Sequence, residues 1–178
     1  MRFTFFESLT RQEAQAFLRR FCEVEREAIT ADTNVFRQTA PGVQFALDRL
    51  PAIFERCAKD LSLVPVPTPP DLPDWIASSL PHKDGFFEFD PSSAAVVLRV
   101  AFYMGECFVQ VSTLSWGIGK RNTAVQNQPV VKGFENGLEL SPLLVSENIF
   151  RRILDGADAS IETSETMDFW VGKTPDAK

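Results

Sequence analysis

Histidine is nearly missing from this chain of 178 residues, which carries one, and cysteine is held to three. A zinc site needs cysteines and histidines in a cluster. Here His82 stands alone in a proline-rich stretch beside Lys83 and Asp84, and Cys22, Cys57 and Cys107 are far apart. A Cys–His dyad would have to bring His82 onto one of those cysteines, each of which falls in an apolar helical pattern. Reactive thiols need partial exposure and positive surroundings, so these three read as small buried hydrophobes. Their odd number and wide spacing exclude a disulfide framework and fit a reducing compartment. Also missing are a phosphate-binding loop, a dinucleotide fingerprint and a G-x-S-x-G elbow. GIGKRNT, Gly117 to Thr123, has the glycines of a phosphate loop without its spacing. No catalytic residue, metal ligand or cofactor is expected; carboxylates are abundant, and no pair is singled out.

Basic charge is in deficit too. Eighteen Lys and Arg against 24 Asp and Glu leave a net charge of −6. Non-specific nucleic-acid binding needs a basic surface that displaces counterions, and an anionic membrane surface makes the same demand. Neither partner is expected. A basic protein partner fits, because opposite potentials steer encounter; mild acidity that only maintains solubility fits as well. Long hydrophobic runs are absent. The longest, at about 94–111, is broken by Arg99 and Glu106, short of the ~20 apolar residues of a membrane span. The start, MRFTFFESLTRQEAQ, meets charge at Glu7 and has no apolar core of a signal peptide. A cytoplasmic protein is expected.

What is present is phenylalanine, 16 residues against one tyrosine. Phe has no polar handle, so most of these rings belong inside. The length fits a single domain over 1–178, large enough to bury a core. Thr10 and Glu13 have capping-box spacing at the head of a helix over 10–30. Its Ala14, Phe17, Leu18, Phe21, Val24 and Ala28 keep helical period. Arg19, Arg20, Glu23, Glu25, Arg26 and Glu27 lie largely outside that stripe and read as a solvated face. A loop at 30–34 leads to a helical region over 44–62. Pro51 there means that a helix starts near Leu50 or that two short helices meet. Residues 63–75 hold five prolines and read as an extended connector inside the domain. Asp84-Gly85 signals a turn before a short aromatic strand. Asp90 and Pro91 supply the N-cap and first position of a helix running to about Gln110. Residues 113–119 and 127–134 read as strands of a hairpin, Glu135-Asn136-Gly137 as a turn, and Ser141-Pro142 as the start of a last helix stopped at Gly156. The class is α+β: N-terminal helices, a central buried helix at about 90–110 packed on a small antiparallel sheet at about 112–140, and a C-terminal helix.

One feature of the central helix asks for an explanation. Glu106 sits among Phe102, Tyr103, Met104, Cys107 and Phe108. With Arg99 at zero on a helical wheel, Tyr103, Glu106 and Gln110 fall at roughly +40°, −20° and +20°. They form the helix's one polar line, and the other faces are apolar. Gly105 beside Glu106 leaves room for a close neighbour at ~1 kcal/mol of helix propensity. A buried carboxylate must be paired or hydrogen-bonded; the candidates are Ser115, the Trp116 N–H, Asn127 and strand backbone. Arg99, Tyr103, Glu106, Gln110, Trp116 and Asn127 therefore form either a satisfied network facing the Trp116 and Pro129 strands, or the floor of a ligand pocket. Farther on, Asp155, Asp158, Glu162, Glu165 and Asp168 occur without a basic residue among them, ending in Phe169-Trp170. This acidic segment at 156–178 is either a terminal stretch tucked on by its aromatics or an arm for a basic partner.

The run AFYMGE, then SWGIG, then QNQPVV and LSPLLV, over about 94–154, resembles small uncharacterised bacterial proteins with a Y-x-G-E helix, a Trp strand and a P-V strand. Some of these are similar to immunity proteins of bacterial toxin systems. The resemblance implies that Tyr103, Gly105, Glu106, Trp116 and Pro129 define the scaffold, and it carries no catalytic residue. The expected function is a non-enzymatic protein-binding domain, such as an immunity protein that neutralises a basic toxin through an acidic surface. The alternatives are a small-molecule-binding domain or enzyme with a pocket at Arg99, Tyr103 and Glu106, and a structural subunit of a larger assembly.

Overall fold

The computed structural model describes residues 4–32, 35–36, 45–67 and 86–175. The connector beyond residue 67, His82 and the Asp84-Gly85 turn lie outside these. The fold is α+β, with helices dominating and two antiparallel two-stranded sheets. Helix α1, Thr4–Ser8, precedes α2, Arg11–Ala31, which starts on a complete capping box between Thr10 and Glu13. A 3₁₀ turn at Leu47–Arg49 runs into α3, Leu50–Ala58. Pro51 sits in its first turn, where no intrahelical N–H is lost. The two short helical pieces thus meet at the proline.

Strand β1, Leu63–Val66, pairs with β2, Phe86–Phe89, so the proline-rich stretch begins as an edge strand. Helix α4, Pro91–Val111, is capped by Asp90, whose carboxylate accepts from Ser92 N and Ser93 N. Strand β3, Ser115–Ile118, pairs with β4, Pro129–Lys132, with Trp116 opposite Val131. Leu140 adds a bridge to Val131. Helix α5, Pro142–Leu154, begins at a Ser141 cap, and Gly156 follows it at φ +97°.

Helix α5 is not the last. The acidic segment folds as α6, Ala159–Val171, with the Asp158 carboxylate accepting from Ser160 N and Ile161 N. Its buried residues are Ala159, Thr163 and Met167. A buried face with one large apolar side chain gives little periodic signal, which is why the segment does not read as a helix. The helix docks on α3, α5 and, through Trp170, on the Phe134 ring at 5.0 Å.

Helix α4 is the centre. It packs against α2, α3, α5 and both strands of the β3–β4 sheet. Ala101 to Phe108 are all buried. Pro91–Gln110 has the length and hydropathy of a membrane-spanning helix, and most of it is buried inside the fold, as in the core helix of a globular protein. Its packing turns on Gly105. A Cβ there would overlap Cη2 and Cζ2 of the Trp116 indole. The indole lies across this gap, stacked on Phe102 with ring centroids 6.1 Å apart and 3° between planes. Phe21 of α2 meets it edge-on at 5.8 Å. Thus α2, α4 and β3 share one aromatic layer.

Gly105→Ala should raise helix propensity by ~1 kcal/mol yet destabilise the fold by about 1–3 kcal/mol, the ordinary cost of overpacking a filled site. Urea unfolding followed by tryptophan fluorescence checks both the midpoint and the shift of the Trp116 environment. A stabilised variant would show that the indole is not wedged there.

Candidate functional site

The polar line of α4 does not face one surface. Its members are spread over three turns, about 16 Å of helix axis, and each meets a different neighbour. Both oxygens of Glu106 are engaged: Trp116 Nε1 donates to Oε1 at 2.8 Å, and Arg26 Nη2 donates to Oε2 at 2.9 Å. The carboxylate is 3% exposed, whereas Arg26 is 54% exposed. Of the partners expected for Glu106, Trp116 is present; Asn127 is elsewhere, and no hydrogen bond joins Ser115 to it. Asn127 Nδ2 donates to Phe6 O at 3.1 Å and Leu9 O at 2.8 Å, tying the β3–β4 connection to α1.

Arg26 lies on the solvated face, as expected, and still reaches Glu106 from there, with its guanidinium 5.5 Å from the centre of the Phe102 ring. Glu25, expected on the solvated face, is instead buried, in line with Phe21 and Ile29 on the inner face of α2. Its carboxylate lies 3.7 Å from Arg99 Nε, an ion pair without hydrogen-bond geometry. Burial raises the Glu25 pKa, and Arg99 opposes that rise. Two acids and two bases, Glu25, Arg26, Arg99 and Glu106, therefore form a neutral quartet across the α2–α4 interface.

Tyr103 turns to a third neighbour. Its hydroxyl accepts from Ala46 N at 3.2 Å and from Arg49 Nη1 at 3.5 Å. The ring is fully buried between Phe36 and Phe45. Burial raises its pKa, and the Ala46 N–H works against that. Gln110, at the end of the line, is exposed. Arg99, Tyr103 and Glu106 thus bind α2, the segment before α3, and β3 respectively. Sequence periodicity placed them on one line; their partners lie 80 and 57 residues away for Glu106–Arg26 and Tyr103–Ala46, and nothing local announces them.

What this arrangement does within the fold is hold elements together. Each oxygen of Glu106 accepts one hydrogen bond from within the fold, and the carboxylate is buried. The thiols nearby are protonated ones. Burial, then the Glu106 charge, pushes Cys22 up to about 11 and pushes Cys107 up as well. Burial pushes Cys57 to about 12. Among the described residues no group of three or more His, Cys, Asp and Glu could hold a metal ion.

The five acidic residues near the C-terminus separate into used and unused. Asp158 caps α6. Glu162 is paired with Arg152 at 2.7 Å and its side chain is 12% exposed. Asp155 closes the end of α5. Glu165 and Asp168 face solvent on α6. Comparison of the chain with protein-family models, with curated proteins and with solved structures finds no match.

Glu106→Leu should cost about 1–3 kcal/mol, because it strands the buried indole N–H. Glu106→Gln should cost less, since an amide oxygen can still accept from Trp116. Urea denaturation of the three proteins checks the order, and equal losses for both variants would contradict it. Because the thiols are held protonated, iodoacetamide near pH 8 should leave all three cysteines of the folded protein largely unmodified. In urea all three should alkylate, which intact mass counts directly.

Proposed function

We propose that the chain is a non-enzymatic protein-binding domain, and that it holds a basic protein partner on the outer face of α6, as an immunity protein holds a toxin. The observation that carries this is the exposure of Ile161 and Phe169, 57% and 54%. They stand with Glu165 and Asp168 at helical spacings of four, seven and eight residues, which share one face. Neither carboxylate has a basic partner among the described residues. A surface helix normally turns its apolar stripe inward. Here the inner face carries Ala159, Thr163 and Met167, while two large apolar side chains, Ile161 and Phe169, point out. The Thr163 hydroxyl is buried without a hydrogen-bond partner.

The chemistry suits a cationic protein surface. Lys173 Nζ stands 5.5 Å over the Phe169 ring, the contact that a partner's arginine makes in this reading, with Glu165 and Asp168 beside it. Arginine and aromatic anchors dominate binding energy in such patches. The net charge of −6 steers a basic partner toward the domain. The quartet at the α2–α4 interface supports the same reading from the other side, since its charges are paired within the fold.

The test is titration calorimetry with the product of the gene adjacent to this chain's own. Binding is expected, with Phe169→Ala costing about 2 kcal/mol, roughly thirtyfold in Kd. Glu165→Lys with Asp168→Lys should slow association and flatten its salt dependence. No binding, or binding indifferent to all three substitutions, would sink the proposal.

A further inference from the structure

The acidic total conceals a basic cleft. Between the α1–α2 junction and the β3–β4 connection lies a depression of about 540 Å³, lined by Glu7, Thr10, Arg11, Lys120, Arg121 and Asn127 with Leu9 and Gln126. That volume is the size of a small-molecule site. Three cations border it, and none has a carboxylate at ion-pair distance among the described residues. Glu7 is the one acid in the lining, which leaves the cleft at about +2.

Two of the three cations are held in place by backbone carbonyls. Arg11 Nη1 donates to Gly119 O at 3.0 Å and Nη2 to Ile118 O at 3.4 Å. Lys120 Nζ donates to Gly137 O at 2.8 Å, and Lys120 N donates to Glu139 at 2.9 Å. Arg121 is exposed and makes no such contact. The loop that carries Lys120 and Arg121 is closed on itself. Gly119 N donates to Gln128 O at 2.9 Å, and a Cβ on Gly119 would overlap the Val125 carbonyl. Asn122 and Asn127 take left-handed backbone at φ 60° and 58°, a conformation that L side chains adopt at a cost. Asn127 is 9% exposed and lines the cleft. Its Nδ2 is spent on Phe6 O and Leu9 O, so Oδ1 is the atom left to accept from a ligand.

We infer that this cleft binds a small phosphomonoester, its phosphate held by Arg11, Lys120 and Arg121 and an adjoining hydroxyl by Asn127 Oδ1. The charge decides the class. A phosphomonoester carries about −1.5 to −2 near pH 7, which matches the cleft; a carboxylate carries half as much. Arginine presents a fork of donors suited to phosphate oxygens. Gln126 Oε1 accepts from Asn122 N at 2.8 Å, which leaves its Nε2 as a neutral donor. The site is independent of the α6 face, so failure of either reading leaves the other intact.

The experiment is calorimetric titration of the full chain at pH 7.5 and constant ionic strength with glycerol 3-phosphate, inorganic phosphate and acetate. Expected is saturable binding in the order glycerol 3-phosphate, then phosphate, then acetate. Arg121→Ala, which removes an exposed side chain without fold contacts, should weaken glycerol 3-phosphate binding at least tenfold, and Glu7→Gln should tighten it severalfold. Arg20→Ala, remote from the cleft, should change nothing. Affinity should fall between pH 7.5 and 5.5 as the phosphate takes up its second proton near pH 6. Inorganic phosphate binding more tightly than its ester would overturn the role of Asn127. Absence of saturable binding, acetate binding as well as phosphate, or indifference to Arg121→Ala would overturn the site.

Discussion

The contact on which the structure depends is the Trp116 indole lying over Gly105, with its N–H on Glu106. It joins one strand to the central helix twice, by shape and by hydrogen bond, and so fixes the rotation of α4 relative to β3. Once that rotation is set, Phe102 faces the indole, Tyr103 faces the segment before α3, and Arg99 faces α2. A few degrees of rotation would bring a different atom to each partner. The carboxylate inside the core is the second half of a lock whose first half is a missing side chain. Removing water from Glu106 carries a cost that only charge-assisted hydrogen bonds offset, and both oxygens have one.

Local signals account for what could be read from the chain. Thr10 with Glu13, Asp90 with Pro91, and Ser141 with Pro142 each act within three residues, so helices α2, α4 and α5 begin where those residues stand. The pairing of Trp116 with Glu106 spans ten residues across one turn, close enough to be inferred. Arg26 and Glu25 were not legible in the same way. Helical period shows which residues share a face, but it does not show what a long charged side chain on the outer face can reach, nor that Glu25 is buried. Helix α6 was hidden for another reason: its buried face, Ala159, Thr163 and Met167, holds one large apolar side chain. Asn127 reads as a partner for Glu106 because both sit near β3 and β4; its left-handed backbone instead aims the amide at α1.

Charge in this domain is segregated by role. The quartet at the α2–α4 interface is neutral and spent on cohesion. The surplus of acid stands outward on α6, beside exposed aromatic surface, and a local surplus of base stands at the α1–α2 junction. A net charge describes neither surface. It sets the long-range attraction, while each patch sets what is retained on arrival.

The amide of Asn127 has a last consequence, for the order of assembly. It grips carbonyls at Phe6 and Leu9 across 121 and 118 residues, and Arg11 closes onto Gly119 and Ile118 across 108 and 107. Helices α1 and α2 are therefore anchored by a loop synthesised more than a hundred residues later. At the roughly 5–20 residues per second of chain synthesis, these anchors wait at least several seconds for the loop that makes them. The capping box at Thr10 stabilises α2 in that interval, since it needs nothing from downstream. Such non-local closure is also what slows folding in general, and here it makes the anchors of the α1–α2 junction late contacts.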